Sequence, residues 1–148
     1  MIEGVRVRTL TRHVDDRGSL AELLRSDWPE FTGFGQAIVT VSQPGVIRGW
    51  HWHDRQTDVI VVLGGRANVS LYDGRSGSTT VGQVDAYVFG GNDLRAIFVP
   101  PGVWHGYKTV SAEAAVILNF PDQVYDAVHP DEHRAPHDAP GVPYDWNA

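Results

Sequence analysis

The stretch that decides the fold is GVIRGWHWHDRQTDVIVVLGG, residues 45–65. His51 and His53 lie two positions apart among β-forming residues, so a strand would project both imidazoles from the same face. Asp58 begins the next apolar run, and a neighbouring strand would bring its carboxylate beside the two rings. The stretch therefore predicts two strands whose inner faces share a polar, titratable site.

Short β-rich runs continue on both sides of this stretch, each ending near Gly, Pro or Asp. They read QAIVTVS at 36–42, ANVSLYD at 67–73, AIFVPP at 96–101 and AAVILNF at 114–120. In ANVSLYD, Val69 and Leu71 alternate with polar neighbours, which is the period of a strand with one buried face. We predict an all-β barrel or sandwich, with a core of about residues 36–120 in a single domain spanning residues 1–148.

Two segments outside this core are less regular. Residues 19–28, SLAELLRSDW, carry leucines at helical spacing but fit a strand followed by a turn equally well. Residues 121–148 are rich in Pro, Asp and His and are expected to form an extended tail that wraps the barrel, with Tyr144 and Trp146 as apolar anchors. The histidines of the tail are assigned to a solvated loop because neighbouring prolines exclude a regular helix. They are His129, His133 and His137.

The composition excludes several classes of function. A net charge of -6 without a dense cluster of Lys and Arg argues against nucleic-acid binding. The absence of cysteine removes disulfides, thiol catalysis and thiolate ligands, so any metal would need nitrogen and oxygen ligands. No signal-peptide core is present, and no apolar run approaches the roughly 20 residues of a membrane helix. We expect a soluble, cytoplasmic protein with no membrane partner.

The histidine stretch resembles the first sequence motif of the cupins, with Asp in place of the usual Glu. The residues that carry this likeness are Gly45, His51, His53, Asp58 and Gly65. Residues 100–105 are similar to the second cupin motif and end on His105. The resemblance implies a jelly-roll barrel in which the three imidazoles and the carboxylate converge. Such a ligand set suits Zn, Ni, Fe or Mn, whereas histidines of sugar-processing cupins also act as metal-free bases. Both alternatives stay open.

Most of the chain further resembles the dTDP-4-dehydrorhamnose 3,5-epimerase family, a branch of the cupins that acts on nucleotide-linked 4-keto sugars. The shared motifs are D-R-G-x-x-x-E at 16–22, G-V-x-R-G-x-H at 45–51, D-x-R-x-x-S-x-T at 73–80 and P-x-G-x-x-H-G at 100–106. The resemblance implies that His51 is the catalytic base and that His105 lies beside the sugar. It also implies contacts to the nucleotide and diphosphate from Arg17, Glu22, Gln36 and Arg48.

The chain departs from the family pattern at two places. The family has a lysine at the position of Asp58, so this carboxylate is expected either to orient His51 or to bind a metal. A pair of tyrosines that follows the last core strand is replaced by NFPDQVY at 119–125. Tyr125 is therefore expected to be the displaced general acid.

Three functions follow as hypotheses. The first is a sugar-nucleotide epimerase or isomerase. In this hypothesis, neutral His51 removes a proton next to the ketone of a dTDP-linked 4-keto-6-deoxy sugar, and His105, Arg48 or a metal stabilises the enolate. The second is a metal-dependent cupin enzyme acting on another small molecule, and the third is a non-catalytic sugar-binding cupin. An exposed barrel edge also predicts a homodimer.

Overall fold

Two five-stranded sheets form the body of the protein, and the computed structural model describes all 148 residues. The first sheet contains β1 (Arg6–Thr9), β4 (Ile38–Ser42), β6 (Asp58–Gly64), β9 (Arg95–Val99) and β11 (Ala115–Asn119). All its pairings are antiparallel, in the spatial order β1-β9-β6-β11-β4. The two edges of this sheet are therefore β1 and β4.

The second sheet contains β5 (Ile47–Trp52), β7 (Ala67–Asp73), β8 (Val84–Phe89), β10 (Val103–Thr109) and β12 (His133–Arg134). Its strands are also antiparallel, in the order β12-β5-β10-β7-β8. A separate hairpin joins β2 (Arg12–Asp15) to β3 (Gly18–Ala21). The structure contains only strands and connecting segments, which confirms the all-β prediction. No helix long and apolar enough to cross a membrane is found.

The main hydrophobic core lies between the two sheets. Ile60 and Val62 reach it from β6, and Leu71 reaches it from β7. The alternate residues of β6, Val59 and Val61, belong to a second cluster on the outer face of the first sheet. β6 is thus buried on both faces, which explains why its sequence is a continuous apolar run and does not alternate.

The segment after β3 covers the second cluster. Residues 19–28 are a strand as far as Ala21 and then a loop, so the strand-and-turn alternative is the one observed. Leu23, Leu24 and Trp28 of this loop pack on the outer cluster. Leu20, on which the helical spacing depends, is 64% exposed on β3, so only Leu23 and Leu24 owe their apolar character to burial on the sheet.

The tail pairs with β5 as β12 and is then held against β5 by aromatic side chains. Trp146 is buried and packs on Trp50 and Tyr144. The indole N–H groups of Trp50 and Trp146 both donate to the carbonyl oxygen of His137, at 3.3 and 3.1 Å. Gly49 permits this close approach, because a Cβ atom there would lie 2.7 Å from the His137 nitrogen. These contacts fix the course of the tail past the barrel.

Candidate active site

A cavity of about 390 Å³ lies inside the barrel and contains the histidines singled out in the sequence. His105 of β10 pairs with His51 of β5, and the centroids of their rings are 6.2 Å apart. The ring of His53 lies 5.5 Å from that of His105. Asp58, the first residue of β6, faces the same cavity. The structure therefore brings together all four residues that the sequence predicted to converge.

Asp58 is the centre of a buried hydrogen-bond network. Its Oδ2 atom accepts hydrogen bonds from Nε2 of His105 at 2.9 Å and Nε2 of His53 at 3.1 Å. Its Oδ1 atom accepts one from the Gln56 amide at 2.7 Å. Burial by itself would raise the pKa of Asp58, but the hydrogen bonds from the two histidines outweigh it and hold the pKa far below its usual value. Asp58 is therefore ionised at neutral pH.

Backbone carbonyls hold the other ring nitrogens of the same two histidines. Nδ1 of His53 donates to the carbonyl oxygen of Asp131, and Nδ1 of His105 donates to that of Val103 at 3.2 Å. A carbonyl oxygen can only accept, so both Nδ1 atoms carry a proton and both Nε2 atoms point at Asp58. Burial opposes charge on His53, but the hydrogen bond and negative charge of Asp58 prevail and raise its pKa. Both rings are thereby fixed in orientation.

The candidate metal ligands are three of the four predicted. The ligand atoms of His53, Asp58 and His105 all lie within 4.8 Å of one another. His51 is outside this group, although its ring neighbours His105. Asp58 contacts His53 and His105 and does not reach His51, so the expectation that it would orient His51 is not met.

His51 is the imidazole of the cavity that this network leaves uncommitted. Burial, followed by the charge of His105, lowers the pKa of His51 to about 4, and the opposite effect of Glu132 is smaller. At neutral pH the ring is therefore uncharged and has a lone pair that can accept a proton. His51 has the properties required of a general base.

Asp131, a tail residue that the sequence gave no reason to select, shapes the turn beside the histidines. Its carboxylate accepts hydrogen bonds from the backbone N–H groups of Asp54, Arg55 and Gln56, at 2.8, 3.0 and 3.1 Å. Its carbonyl oxygen is the acceptor for His53. The only sequence signal was the presence of an acidic residue between Pro130 and the β12 strand.

The tail also forms part of the wall of the cavity. In β12, Arg134 pairs with His51 and His133 pairs with Trp52. His133 stacks on Trp52, which in turn stacks on Trp104 with 3.9 Å between ring centroids. His133 is exposed, as predicted, but it does not lie in a loop, because a strand pairing and an aromatic surface hold it in place.

The residues predicted to bind substrate divide into two groups. Gln36, Arg48 and Tyr125 line the cavity. Arg17 lies in the turn of the β2-β3 hairpin, where its side chain is 85% exposed and pairs with Asp15. Glu22 pairs with Arg25. Neither Arg17 nor Glu22 lines the cavity of its own chain.

The fold and the site define a class of protein. An antiparallel barrel that encloses a buried carboxylate, two immobilised imidazoles and one neutral imidazole is suited to acid-base chemistry on a small molecule. The family model for dTDP-4-dehydrorhamnose 3,5-epimerase matches residues 1–148, so the chain belongs to that family.

Individual relatives agree with this assignment. The probable low-salt glycan biosynthesis epimerase of Haloferax volcanii is 40% identical over 149 residues, which covers 99% of this chain and 96% of that protein. The crystal structure of a dTDP sugar isomerase from Desulfovibrio desulfuricans superposes with a TM-score of 0.92 at 30% identity and covers 99% of this chain and 92% of the other. The epimerase of Legionella pneumophila, solved with dTDP-4-keto-L-rhamnose, gives a TM-score of 0.87 at 27% identity, covering 98% and 79%.

These comparisons confirm the resemblance drawn from the sequence, the jelly-roll fold and the class of enzyme, a sugar epimerase or isomerase. The roles of individual residues, the oligomeric state, the cytoplasmic location and the domain boundaries stay predictions.

The contrast between His51 and His53 can be measured by NMR titration of the imidazole C–H shifts. Because burial penalises the His51 cation, we expect its midpoint near pH 4, whereas Asp58 should raise that of His53 above the ordinary 6.5. His51→Asn and His53→Asn variants assign the signals. Folding stability should also decrease as the pH falls from 6.5 towards 4, because unfolded His51 binds a proton more readily than folded His51 does. A His51 midpoint above 6.5 would contradict this description.

Proposed function

We propose that the protein epimerises or isomerises a dTDP-linked 4-keto-6-deoxy sugar, with His51 as the base. The observation that carries the proposal is a half-buried, neutral imidazole that faces the cavity and has no competing partner. The relative from Legionella pneumophila that was solved with dTDP-4-keto-L-rhamnose supports the choice of substrate class. His53 and His105 are held by Asp58 and by backbone carbonyls. His129, the fourth histidine of the cavity wall, is 83% exposed and pairs with Asp126. His51 is therefore the ring inside the barrel that can receive a proton.

The chemistry follows from the acidity of carbons next to a ketone. The C4 carbonyl makes the protons on C3 and C5 removable, and His51 takes one of them as its electron pair moves into the enolate. The enolate is then protonated on carbon. Return of a proton to the opposite face inverts that carbon, while protonation elsewhere in the enolate system gives an isomer. His51 must release its proton to water before the next turnover.

The remaining cavity residues have proposed roles in binding and protonation. The Arg48 guanidinium is a suitable partner for the diphosphate. The Gln36 amide is a suitable partner for the nucleotide, and its oxygen accepts a hydrogen bond from the Tyr125 backbone N–H at 3.2 Å. Tyr125 is 57% exposed at the cavity and is the proposed acid that gives a proton to carbon and then regains one from water. His105, held by Asp58, lies beside the sugar and contributes to the electrostatic field at the ketone.

Deuterium exchange tests the proposal directly. In deuterated water, the wild-type protein should incorporate deuterium next to the ketone of a dTDP-linked 4-keto-6-deoxy sugar, as followed by mass spectrometry. Loss of a general base costs roughly 10²–10⁴-fold, so His51→Ala should slow exchange by that factor. His137→Ala, a change at an exposed side chain, is the matched control and should exchange like wild type.

Two outcomes would count against His51 enolisation. Exchange no faster than in buffer would refute it, and tight binding of the sugar nucleotide without any exchange would favour the non-catalytic sugar-binding alternative.

A metal-dependent reaction is the second candidate, and the convergence of His53, Asp58 and His105 favours it. Both histidines have Nδ1 bonded to a carbonyl and Nε2 directed at a common point, which is the arrangement that orients histidine ligands in metal sites. Two nitrogens and one oxygen suit Zn, Ni, Fe or Mn and leave positions open for a substrate. A metal held there would polarise a carbonyl oxygen.

Elemental analysis of the purified protein separates the two candidates. The metal-dependent candidate requires a stoichiometric ion that is lost, together with turnover, in His53→Ala and Asp58→Asn but kept in the control His137→Ala. Full turnover by metal-free wild-type protein would remove this candidate and leave the His51 mechanism in place.

We also propose that two chains associate through the β4 edge of the first sheet. Val39 and Val41 of this strand are 62% and 57% exposed, which is unfavourable for an edge that stays in water. Association would also allow Arg17 and Glu22, neither of which lines the cavity of its own chain, to contact substrate bound in a second chain.

Light scattering tests the association. Wild-type protein should have twice the mass of a single chain, and the double variant Val39→Lys, Val41→Lys should have the mass of one, because two lysines at the edge oppose burial. Val81→Lys, a change at another exposed valine outside the sheets, is the control. A wild-type protein that is a monomer at all concentrations would overturn the proposal.

A further inference from the structure

Tyr107 is a second phenol in the cavity, and no role has yet been given to it. It follows His105 by two residues on β10, so both side chains lie on the face of the sheet that lines the cavity. Across the pairing with β5, His105 lies opposite His51 and Tyr107 lies opposite Arg48. The phenol is therefore next to the pair of histidines, on the same wall as the proposed base.

A ketone that becomes an enolate needs a hydrogen-bond donor at its oxygen, and the histidines beside His51 have none to offer. Both ring nitrogens of His105 are occupied, Nδ1 by the Val103 carbonyl and Nε2 by Asp58. Both nitrogens of His53 are occupied in the same way, by Asp131 and Asp58. Asp58 itself only accepts. The donor must come from elsewhere in the cavity.

The opposite wall of the cavity offers no strong hydrogen-bond donor to the ketone oxygen. Apart from Asp58, which only accepts, its strands β4, β6 and β11 present isoleucines together with two neutral polar side chains, Thr40 and Asn119. The Oδ1 atom of Asn119 is buried without a partner and is an acceptor. An alcohol and an amide are far weaker acids than a phenol, whose ordinary pKa is about 10. Among the neutral donors around the cavity, a phenol forms the stronger hydrogen bond to a developing oxyanion.

The surroundings of Tyr107 keep its hydroxyl protonated and in place. Burial is the largest influence and raises the pKa of the phenol, while the Thr40 hydroxyl and the charge of Arg48 lower it by less. The ring packs against the hydrophobic core between the sheets, which fixes its position. Tyr125, by contrast, is largely exposed. Of the two cavity phenols, Tyr107 is the one held in a desolvated position.

We propose that Tyr107 donates a hydrogen bond to the ketone oxygen of the substrate and strengthens it as that oxygen becomes an enolate. Tyr107 keeps its proton throughout, so the proton balance set out above is unchanged. This role rests on the proposed enolisation by His51 and adds to it the residue that stabilises the negative charge. A donor that acts mainly in the transition state should affect turnover and not substrate binding.

The test compares phenylalanine variants that remove one hydroxyl each and keep the ring. Deuterium exchange, kcat and KM are measured for wild type, Tyr107→Phe, Tyr125→Phe and the control Tyr144→Phe, whose hydroxyl accepts from Asn68 outside the cavity. Loss of an oxyanion donor costs about 10²–10³-fold in kcat. Tyr107→Phe should show that loss in both exchange and kcat with little change in KM, and Tyr144→Phe should behave as wild type.

Each outcome decides one of the two proposals. If wild type exchanges deuterium and Tyr107→Phe exchanges equally fast, or changes only KM, the role of Tyr107 is overturned and enolisation stands. If wild type does not exchange, enolisation fails and the role of Tyr107 fails with it. Unchanged thermal unfolding of Tyr107→Phe excludes misfolding as the cause of a loss.

Discussion

The buried carboxylate of Asp58 is the constraint on which the rest of the site depends. An ionised carboxyl group inside a barrel is costly unless donors surround it, and here two imidazoles and an amide supply them. Meeting this requirement fixes the rings of His53 and His105 in one orientation. His51, which pairs with His105 from the neighbouring strand β5, has no hydrogen bond in this network. The division between immobilised rings and a free base thus follows from a single buried charge.

The barrel and the tail contribute differently to this arrangement. The strands of the barrel place the titratable groups by their alternation and register, as the pairing of His105 with His51 shows. The tail supplies the hydrogen bonds that orient them, because Asp131 holds both the turn after β5 and the Nδ1 atom of His53. The titratable side chains and the groups that orient them therefore come from parts of the chain that lie more than 70 residues apart.

Much of this could be predicted from the sequence, and the exceptions have physical reasons. The two-residue spacing of His51 and His53 and the short apolar runs indicate strands, because a strand repeats every two residues. The spacing of the histidines does not indicate which ring is free, since that depends on acceptors contributed by residues 103 and 131. Only the family resemblance pointed to His51. The segment 19–28 was ambiguous because exposed Leu20 and the partly buried Leu23 and Leu24 together have the spacing of a helix. The position of Arg17 on the hairpin likewise depends on tertiary structure.

The course of the tail has a consequence for how the protein matures. Residues 131–146 are synthesised after the nine other strands of the two sheets, and until they dock, the turn at 54–56 has no carboxylate to bind its N–H groups. The barrel can collapse around its apolar core while His53 still rotates. The pocket is therefore complete only when the tail is docked, because a molecule with an undocked tail lacks both the ordered turn and the acceptor for His53.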